Sequence, residues 1–260
     1  MEKRGLDRSV LKYIAAFFMV LDSLCLRNFL PPFFHLLTRF VAPLFAWLMV
    51  DGFFHTRSRS AYCKRLWLAA VLMQAGDCLS SLLFGGMHLG ISDNIFLTLA
   101  IGFTAIWLID SARSQADRKK SLAMWSGAAV LILAGLALSI AMIPLFSDAQ
   151  IGVEGGLMLL PLILIAYFFH GSRTKQAVYY TVYCLLVGVV LYGFPGSLSG
   201  GAEAFEMFCI NSDWVTFLVV PFMFLYNGEA GRKTKFNKYF FYVFYPLHLW
   251  VIVTAAYLTR

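Results

Sequence analysis

Long apolar runs separated by short polar stretches repeat along the whole chain. Each run is about 17 to 25 residues long, enough for a helix to cross roughly 30 Å of hydrocarbon. No alternation of apolar and polar residues of the kind found in membrane barrels interrupts this pattern. The pattern predicts an all-α, polytopic transmembrane helix bundle of about nine spans, with residues 1–260 forming a single integral-membrane domain. The predicted spans are a first helix ending near 26, then 40–57, 66–84, 94–110, 122–146, a sixth ending near 169, 177–192, 211–226, and a ninth ending near 258.

The composition supports a membrane protein. Hydrophobic residues make up 60% of the chain and charged residues 13%, against about 25% charged in a typical soluble domain. The first apolar run is predicted to be a retained helix, because Asp22 and Arg27 follow it without a small-residue cleavage site. The five cysteines have neither disulfide nor metal-ligand spacing. We therefore expect a multi-pass protein of the lipid bilayer without a metal site.

The basic residues are concentrated in alternate loops. All 21 lysines and arginines except Arg27, Arg39 and Arg260 lie in alternate loops. Cytoplasmic loops are enriched in basic residues, so the amino terminus is predicted to lie in the cytoplasm and the carboxyl terminus outside. This placement explains the net charge of +7, and we expect no nucleic-acid partner.

The second predicted span ends with an acid and a histidine. Asp51 and His55 stand four residues apart and so share one helix face. An ionisable side chain inside a span costs roughly 2.5 to 3.5 kcal/mol, so it marks a working site or a buried pair. Just beyond lies a basic cluster, which is typical of a loop that meets anionic lipid but also suits the phosphates of a cytoplasmic cofactor. This cluster consists of Arg57, Arg59, Lys64 and Arg65.

His248 lies near the middle of the ninth predicted span, in YFFYVFYPLHLWVI. Pro246 lacks a backbone donor, so this span is predicted to be locally broken at mid-membrane depth. A neutral imidazole beside irregular backbone suits a general base; an inert histidine bonded between helices is the equal alternative. No Walker A loop, GxGxxG turn or GxSxG elbow is present, which argues against an ATPase, a Rossmann enzyme or a serine hydrolase.

Several segments together resemble the TraX family, bacterial membrane proteins named for the conjugation protein that N-acetylates pilin. The similarity spans the chain, and the last segment is the most specific, because NGE followed by KYFFYxFYPxHL is an unusual combination. The segments are LKYIAAFFMVLD, RFVAPLFAWLMVDGFFHTRS, NIFLTLAIGF and NGEAGRKTKFNKYFFYVFYPLHLWVI.

The resemblance implies acetyl transfer from acetyl-CoA to a pilin-like amino terminus or another membrane-associated acceptor, in the bacterial cytoplasmic membrane. His248 is then expected to act as the base, with Asp51 orienting His55 where the donor enters. The basic cluster would bind CoA phosphate. Acceptor contacts are expected from the outer side, at Arg39, Asn94 and Asp22.

Two other classes stay open. Asp22-Ser23 stands where the family usually reads Asp-His, which favours a non-catalytic membrane component of a secretion, pilus or conjugation system. A small-solute transporter is the third candidate, although no inverted repeat of the kind found in many transporters is visible.

Overall fold

Helices form nearly all of the regular structure. A computed structural model describes residues 5–27, 29–84, 94–146, 149–194, 201–231 and 234–258. Several loop positions used for the charge comparison lie outside the described residues, namely 1–4, 85–93, 195–200, 232–233 and 259–260. The described elements are α1 (Arg8–Leu26), α2 (Phe33–Thr38), α3 (Val41–His55), α4 (Arg59–Phe84), α5 (Ile95–Ser114), α6 (Arg118–Ile140), β1 (Ile143–Phe146), β2 (Ala149–Ile151), α7 (Gly156–Phe168), α8 (Arg173–Tyr192), α9 (Gly201–Ile210), a 3₁₀ segment (Asp213–Val219), α10 (Val220–Leu225) and α11 (Lys235–Leu258).

The predicted helical membrane bundle is confirmed. Among the described residues, seven helical stretches are long and apolar enough to cross a bilayer, one of them combining α2 and α3. An eighth is counted if α9 and the helices after it form one span, although they bend by 65°. The predicted sixth span corresponds to α7, which has only 13 residues, so the count of nine and the cytoplasmic amino terminus stay predictions.

Two local predictions were wrong. The fifth span was expected to continue to residue 146, but α6 ends at Ile140 and an antiparallel hairpin of β1 and β2 follows. Pro144 explains the change, because its ring cannot continue a helix and it pushes the preceding residue toward extended backbone. Residues 193–210 fall between two predicted spans and were expected to form no helix, whereas α9 forms there. Glu203 lies in its first turn, which is favourable at a helix N-terminus.

The expected break at Pro246 was also wrong, because α11 runs without interruption through this proline. Proline removes one backbone hydrogen bond, and helices tolerate that loss when neighbouring groups satisfy the freed carbonyl. His248 therefore stands on a regular helix.

The chain divides into two compact units, and the division falls within α3. In Ala46–Phe168, the well-buried α5 packs on α4, α6 and α7. Gly102 allows the close approach of α5 and α7, since a Cβ there would collide with Ile163 Cδ1. The single-domain organisation of residues 1–260 stays a prediction.

The other unit comprises the described parts of Met1–Phe45 and Phe169–Arg260. Within it, α1 packs on α2 and α11, α2 packs on α9, and α8 packs on the 3₁₀ segment. The start of the chain bonds to the turn after α10, with Leu6 N donating to Leu225 O and Asn227 N donating to Leu6 O at 2.8 and 2.9 Å. These two bonds anchor the residues just before α1 to the chain around the end of α10.

Candidate functional site

Asp22, near the end of α1, lies in a cluster of polar side chains. Asp22 Oδ1 accepts hydrogen bonds from Thr38 Oγ1 and from Arg39 Nη2, the latter at 3.3 Å, and lies 2.9 Å from His35 Nδ1. The short helix α2 brings these three side chains together, because they lie within one turn at its end. The Asp22 side chain is 24% exposed, so its hydrogen-bonded carboxylate is still partly accessible.

Arg39 extends this cluster to the 3₁₀ segment. Its Nη1 donates to Asp213 Oδ1 at 2.6 Å, and its Nε donates to the His35 carbonyl at 3.0 Å. Tyr192 donates its hydroxyl to the second carboxylate oxygen of Asp213 at 3.2 Å. One guanidinium thus serves two carboxylates, and Asp213 is the more open of the two, with 53% of its side chain exposed.

His35 has two partners for the same ring nitrogen. Its Nδ1 lies 2.9 Å from Asp22 Oδ1 and 2.7 Å from Arg39 Nη2. A neutral ring nitrogen either donates or accepts, so His35 satisfies the carboxylate or the guanidinium, but not both at once. His35 was not among the predicted site residues. Its signal was a histidine four residues before Arg39, in a short apolar segment after two prolines.

His248 faces the same turn of α1 from α11. Its Nδ1 lies 3.0 Å from the Phe244 carbonyl and its Nε2 lies 3.2 Å from Ser23 Oγ. A carbonyl only accepts, so Nδ1 carries a proton and the neutral ring presents the Nε2 lone pair to the serine hydroxyl. The Phe244 ring stacks on the imidazole with a 5.3 Å centroid distance, so the ring is held in orientation as well as bonded.

Asp22 and Ser23 are neighbours in the chain, yet their side chains contact different helices. Successive residues on a helix point about 100° apart, and here the first faces α2 and the second faces α11. Both Ser23 and His248 are buried. The end of α1 therefore joins a charged cluster, which contains the predicted Asp22 and Arg39, to a buried serine and histidine pair.

Asp51 and His55 lie in the other unit and share a helix face as predicted. His55 Nδ1 donates to the Asp51 carbonyl at 2.7 Å, whereas Asp51 Oδ1 is 3.5 Å away. The backbone contact is therefore the closer one, since a normal hydrogen bond is about 2.7 to 3.2 Å. The His55 side chain is 58% exposed.

The predicted basic cluster is not uniform. Arg59 Nη1 donates to Asp110 Oδ2 at 2.5 Å, and its guanidinium lies 4.2 Å from the centre of the Phe53 ring. Arg65 lies over the Tyr62 ring at 5.4 Å. Arg57 and Lys64 are exposed. The last two are therefore the best placed to meet an incoming phosphate.

Asn94 uses its side chain within the fold. Its Oδ1 caps α5 by accepting from Leu97 N at 3.2 Å, and its Nδ2 donates to the Ala70 carbonyl at 3.0 Å. This amide ties α4 to the start of α5. The expected contact of Asn94 with an acceptor stays a prediction.

The sequence-predicted site residues thus fall into both units. Asp22, Arg39 and His248 belong to the unit built around α1, and the remaining ones belong to Ala46–Phe168. The functional assignments of all of them stay predictions. Polar partners that the sequence analysis did not identify as site residues are Ser23, His35, Thr38, Tyr192 and Asp213.

A family model described as TraX protein covers residues 7–255. No curated protein and no solved structure matches the chain. The matched range includes α1 through most of α11, and with them every site residue named above.

Proposed function

Because the chain belongs to the TraX family, we propose that it is a membrane-embedded acyltransferase of the bacterial cytoplasmic membrane. It transfers acetyl from acetyl-CoA to a protein amino terminus, pilin-like, or to another membrane-associated acceptor. Family membership suggests a membrane protein related to conjugal transfer, and the apolar helices are those of a multi-pass protein. The chemistry rests on the geometry at the end of α1.

The orientation of His248 is the observation that carries this proposal. Acyl transfer requires a base to remove a proton from the attacking nucleophile. The bond from Nδ1 to the Phe244 carbonyl leaves Nε2 as a proton acceptor, and this nitrogen is directed at a hydroxyl rather than at a carboxylate. A neutral imidazole held in this way suits a general base better than a permanently charged ion pair does.

The charged cluster supports recognition of an amine. Asp22 and Asp213 bring two carboxylates to the single guanidinium of Arg39. Two carboxylates outnumber one guanidinium here, so these three side chains are together negative, which favours a protonated amino group over an anion. Asp213 is half-exposed, so an arriving ammonium group can reach its carboxylate.

The donor contact is proposed for the basic cluster in the other unit. Exposed Arg57 and Lys64 are available for the phosphates of acetyl-CoA, with His55 nearby on the same stretch of chain. Arginine matches phosphate geometry through two parallel hydrogen bonds. Arg59 is already bonded to Asp110, so we expect it to contribute less.

The proposal is tested by measuring acetyl transfer with the purified full-length protein in detergent. The assay supplies radiolabelled acetyl-CoA and a short apolar peptide with a free amino terminus, and a peptide already acetylated there serves as the substrate control. We expect His248→Ala to lower the rate by about 100-fold or more. Thr254→Ala is the matched control, because Thr254 is exposed on the same helix.

A His248→Ala protein that transfers acetyl at the wild-type rate would remove the assigned base. Folded wild-type protein that neither binds acetyl-CoA in calorimetry nor transfers acetyl would overturn the enzymatic proposal. That result would favour a non-catalytic component of a secretion, pilus or conjugation system. Accumulation of a solute in vesicles containing the protein would instead indicate a transporter.

A further inference from the structure

Ser23 directs its hydroxyl away from its own helix. Serine in a membrane helix commonly bonds back to a carbonyl three or four residues earlier, which leaves the hydroxyl inert. Here Ser23 Oγ lies 3.2 Å from His248 Nε2 on α11. The two residues are 225 positions apart in sequence, so the packing of α1 on α11 creates the pair.

The histidine in this pair has the orientation that activates a serine. An activated nucleophile needs a base within hydrogen-bond reach, and that base needs a third group to hold it. His248 Nε2 is in reach of the hydroxyl, and the Phe244 carbonyl holds Nδ1 at 3.0 Å. A backbone carbonyl thus stands where the carboxylate stands in a serine, histidine and aspartate triad.

We propose that Ser23 is the nucleophile of a two-step acyl transfer and carries the acyl group as an ester. This inference rests on the acyltransferase function proposed above and specifies its chemical course. It assigns His248 to act on Ser23 first and on the acceptor amine second. It also gives α1 a catalytic residue that a search for hydrolase motifs does not reveal.

In the first step, Ser23 Oγ attacks the carbonyl carbon of the thioester while its proton moves to His248 Nε2. The carbon–sulfur bond then breaks, and the CoA thiolate leaves with the proton from His248. The products are acetyl-Ser23 and free CoA. No oxidant, reductant or further reactant is needed.

In the second step, the acceptor amine, having released its ammonium proton to solvent, attacks the ester carbonyl and gives a further proton to His248 Nε2. The bond from the carbonyl carbon to Ser23 Oγ breaks, and the serine oxygen recovers the proton. An amide is released and the pair returns to its starting state. Because donor and acceptor react in turn, the site needs to hold only one of them at a time.

The surroundings protect such an ester. Ser23 and His248 are both buried, and the rings of Phe244 and Tyr245 pack against the imidazole. Exclusion of water prevents hydrolysis of a reactive intermediate. The adjacent Asp22 is a quarter exposed, so the pair lies one residue from the accessible part of α1. An amine recognised by the charged cluster would arrive beside the ester.

The test needs no acceptor. A two-step mechanism predicts that full-length protein in detergent moves tritium from labelled CoA into acetyl-CoA when no amine is present. It also predicts protein labelled by radioactive acetyl-CoA, with one acetyl group on the peptide that contains Ser23. We expect Ser23→Ala and His248→Ala to lower the exchange rate by at least about 100-fold. Ser114→Ala is the control, because this exposed serine bonds only to carbonyls of its own helix.

Ser23→Cys provides a chemical signature that a structural role cannot mimic. The label on the wild-type protein should resist neutral hydroxylamine, as an oxygen ester does, whereas the label on the cysteine variant should be released, as a thioester is. Label that stays on the protein in Ser23→Ala would overturn the inference.

The two proposals fail differently. Wild-type protein that acetylates the peptide but neither exchanges CoA nor becomes labelled would disprove the ester and leave the acyltransferase function standing. Wild-type protein that shows no acetyl-CoA binding, no exchange and no transfer would disprove both.

Discussion

Arg39 Nη1 donates to Asp213 Oδ1 at 2.6 Å, while Nη2 of the same guanidinium donates to Asp22 Oδ1 at 3.3 Å. The arginine therefore joins the end of α1 to the start of the 3₁₀ segment through the residue that follows α2. The two carboxylates differ in exposure, with Asp22 the more buried. This difference predicts unequal consequences when either acid or the arginine is replaced.

We expect Arg39→Ala to destabilise the protein by about 3 kcal/mol, because it leaves the poorly exposed Asp22 carboxylate without its cation. Asp213→Asn should cost less than about 1 kcal/mol, since exposed ion pairs contribute little. The measurement is denaturant unfolding in a fixed detergent, followed by tyrosine and tryptophan fluorescence. Adding Asp22→Asn to Arg39→Ala should recover part of the lost stability. Equal losses for Arg39→Ala and Asp213→Asn would show that the inner carboxylate does not depend on the arginine.

Within the basic cluster, we expect Arg57 to contribute more to the binding of acetyl-CoA than Arg59 does. Arg57→Ala should raise the Kd for acetyl-CoA by about tenfold, since a hydrogen bond to a charged group contributes roughly 1.5 kcal/mol or more. Arg59→Ala should have a smaller effect on Kd, because Asp110 already occupies that guanidinium. Calorimetry on the purified variants measures both constants.

Arg118→Ala is the control for charge alone, because Arg118 is an exposed basic residue at the start of α6. If Arg118→Ala weakens binding as much as Arg57→Ala, the donor is attracted by general positive charge and no local phosphate site exists at residues 57–65. A larger effect of Arg59→Ala than of Arg57→Ala would reverse the assigned order.

Gly188 lies where α8 packs closely on the 3₁₀ segment. A Cβ at this position would lie 2.8 Å from Cδ2 of Trp214, and the rigid indole cannot fold away from it. Gly188→Ala should therefore lower the free energy of unfolding by about 1 to 3 kcal/mol. Gly127→Ala is the matched control in α6, since its new Cβ would meet Leu108 at an ordinary 3.6 Å. Stability should then stay equal or rise slightly, because alanine favours helix. Equal effects of the two substitutions would contradict the packing argument.

The spans could be predicted from the sequence because bilayer thickness sets their length, and the ionisable residues stood out because apolar surroundings make them costly. The pairing of Ser23 with His248 could not, since hydropathy assigns residues to helices but does not state which helix faces meet. His35 escaped notice because the predicted second span began at residue 40, whereas the candidate span in the structure begins at Phe33. The β1–β2 hairpin was missed because the apolar run continues through Pro144, so hydropathy masked a backbone signal that proline itself provided.

Replacing His248 by asparagine separates its catalytic role from its packing role. Asparagine retains a side-chain donor near the position of Nδ1, which can still bond to the Phe244 carbonyl, but it has no basic nitrogen in place of Nε2. We expect the free energy of unfolding of His248→Asn to lie within about 1 kcal/mol of the wild-type value. Its acetyl-transfer and CoA-exchange rates should fall by about 100-fold or more. Unfolding curves and the two rate assays on the same preparation provide the comparison. If stability collapses and the remaining folded protein keeps its activity, then His248 holds α11 against α1 and is not the base. Activity lost at preserved stability assigns the proton transfer to Nε2.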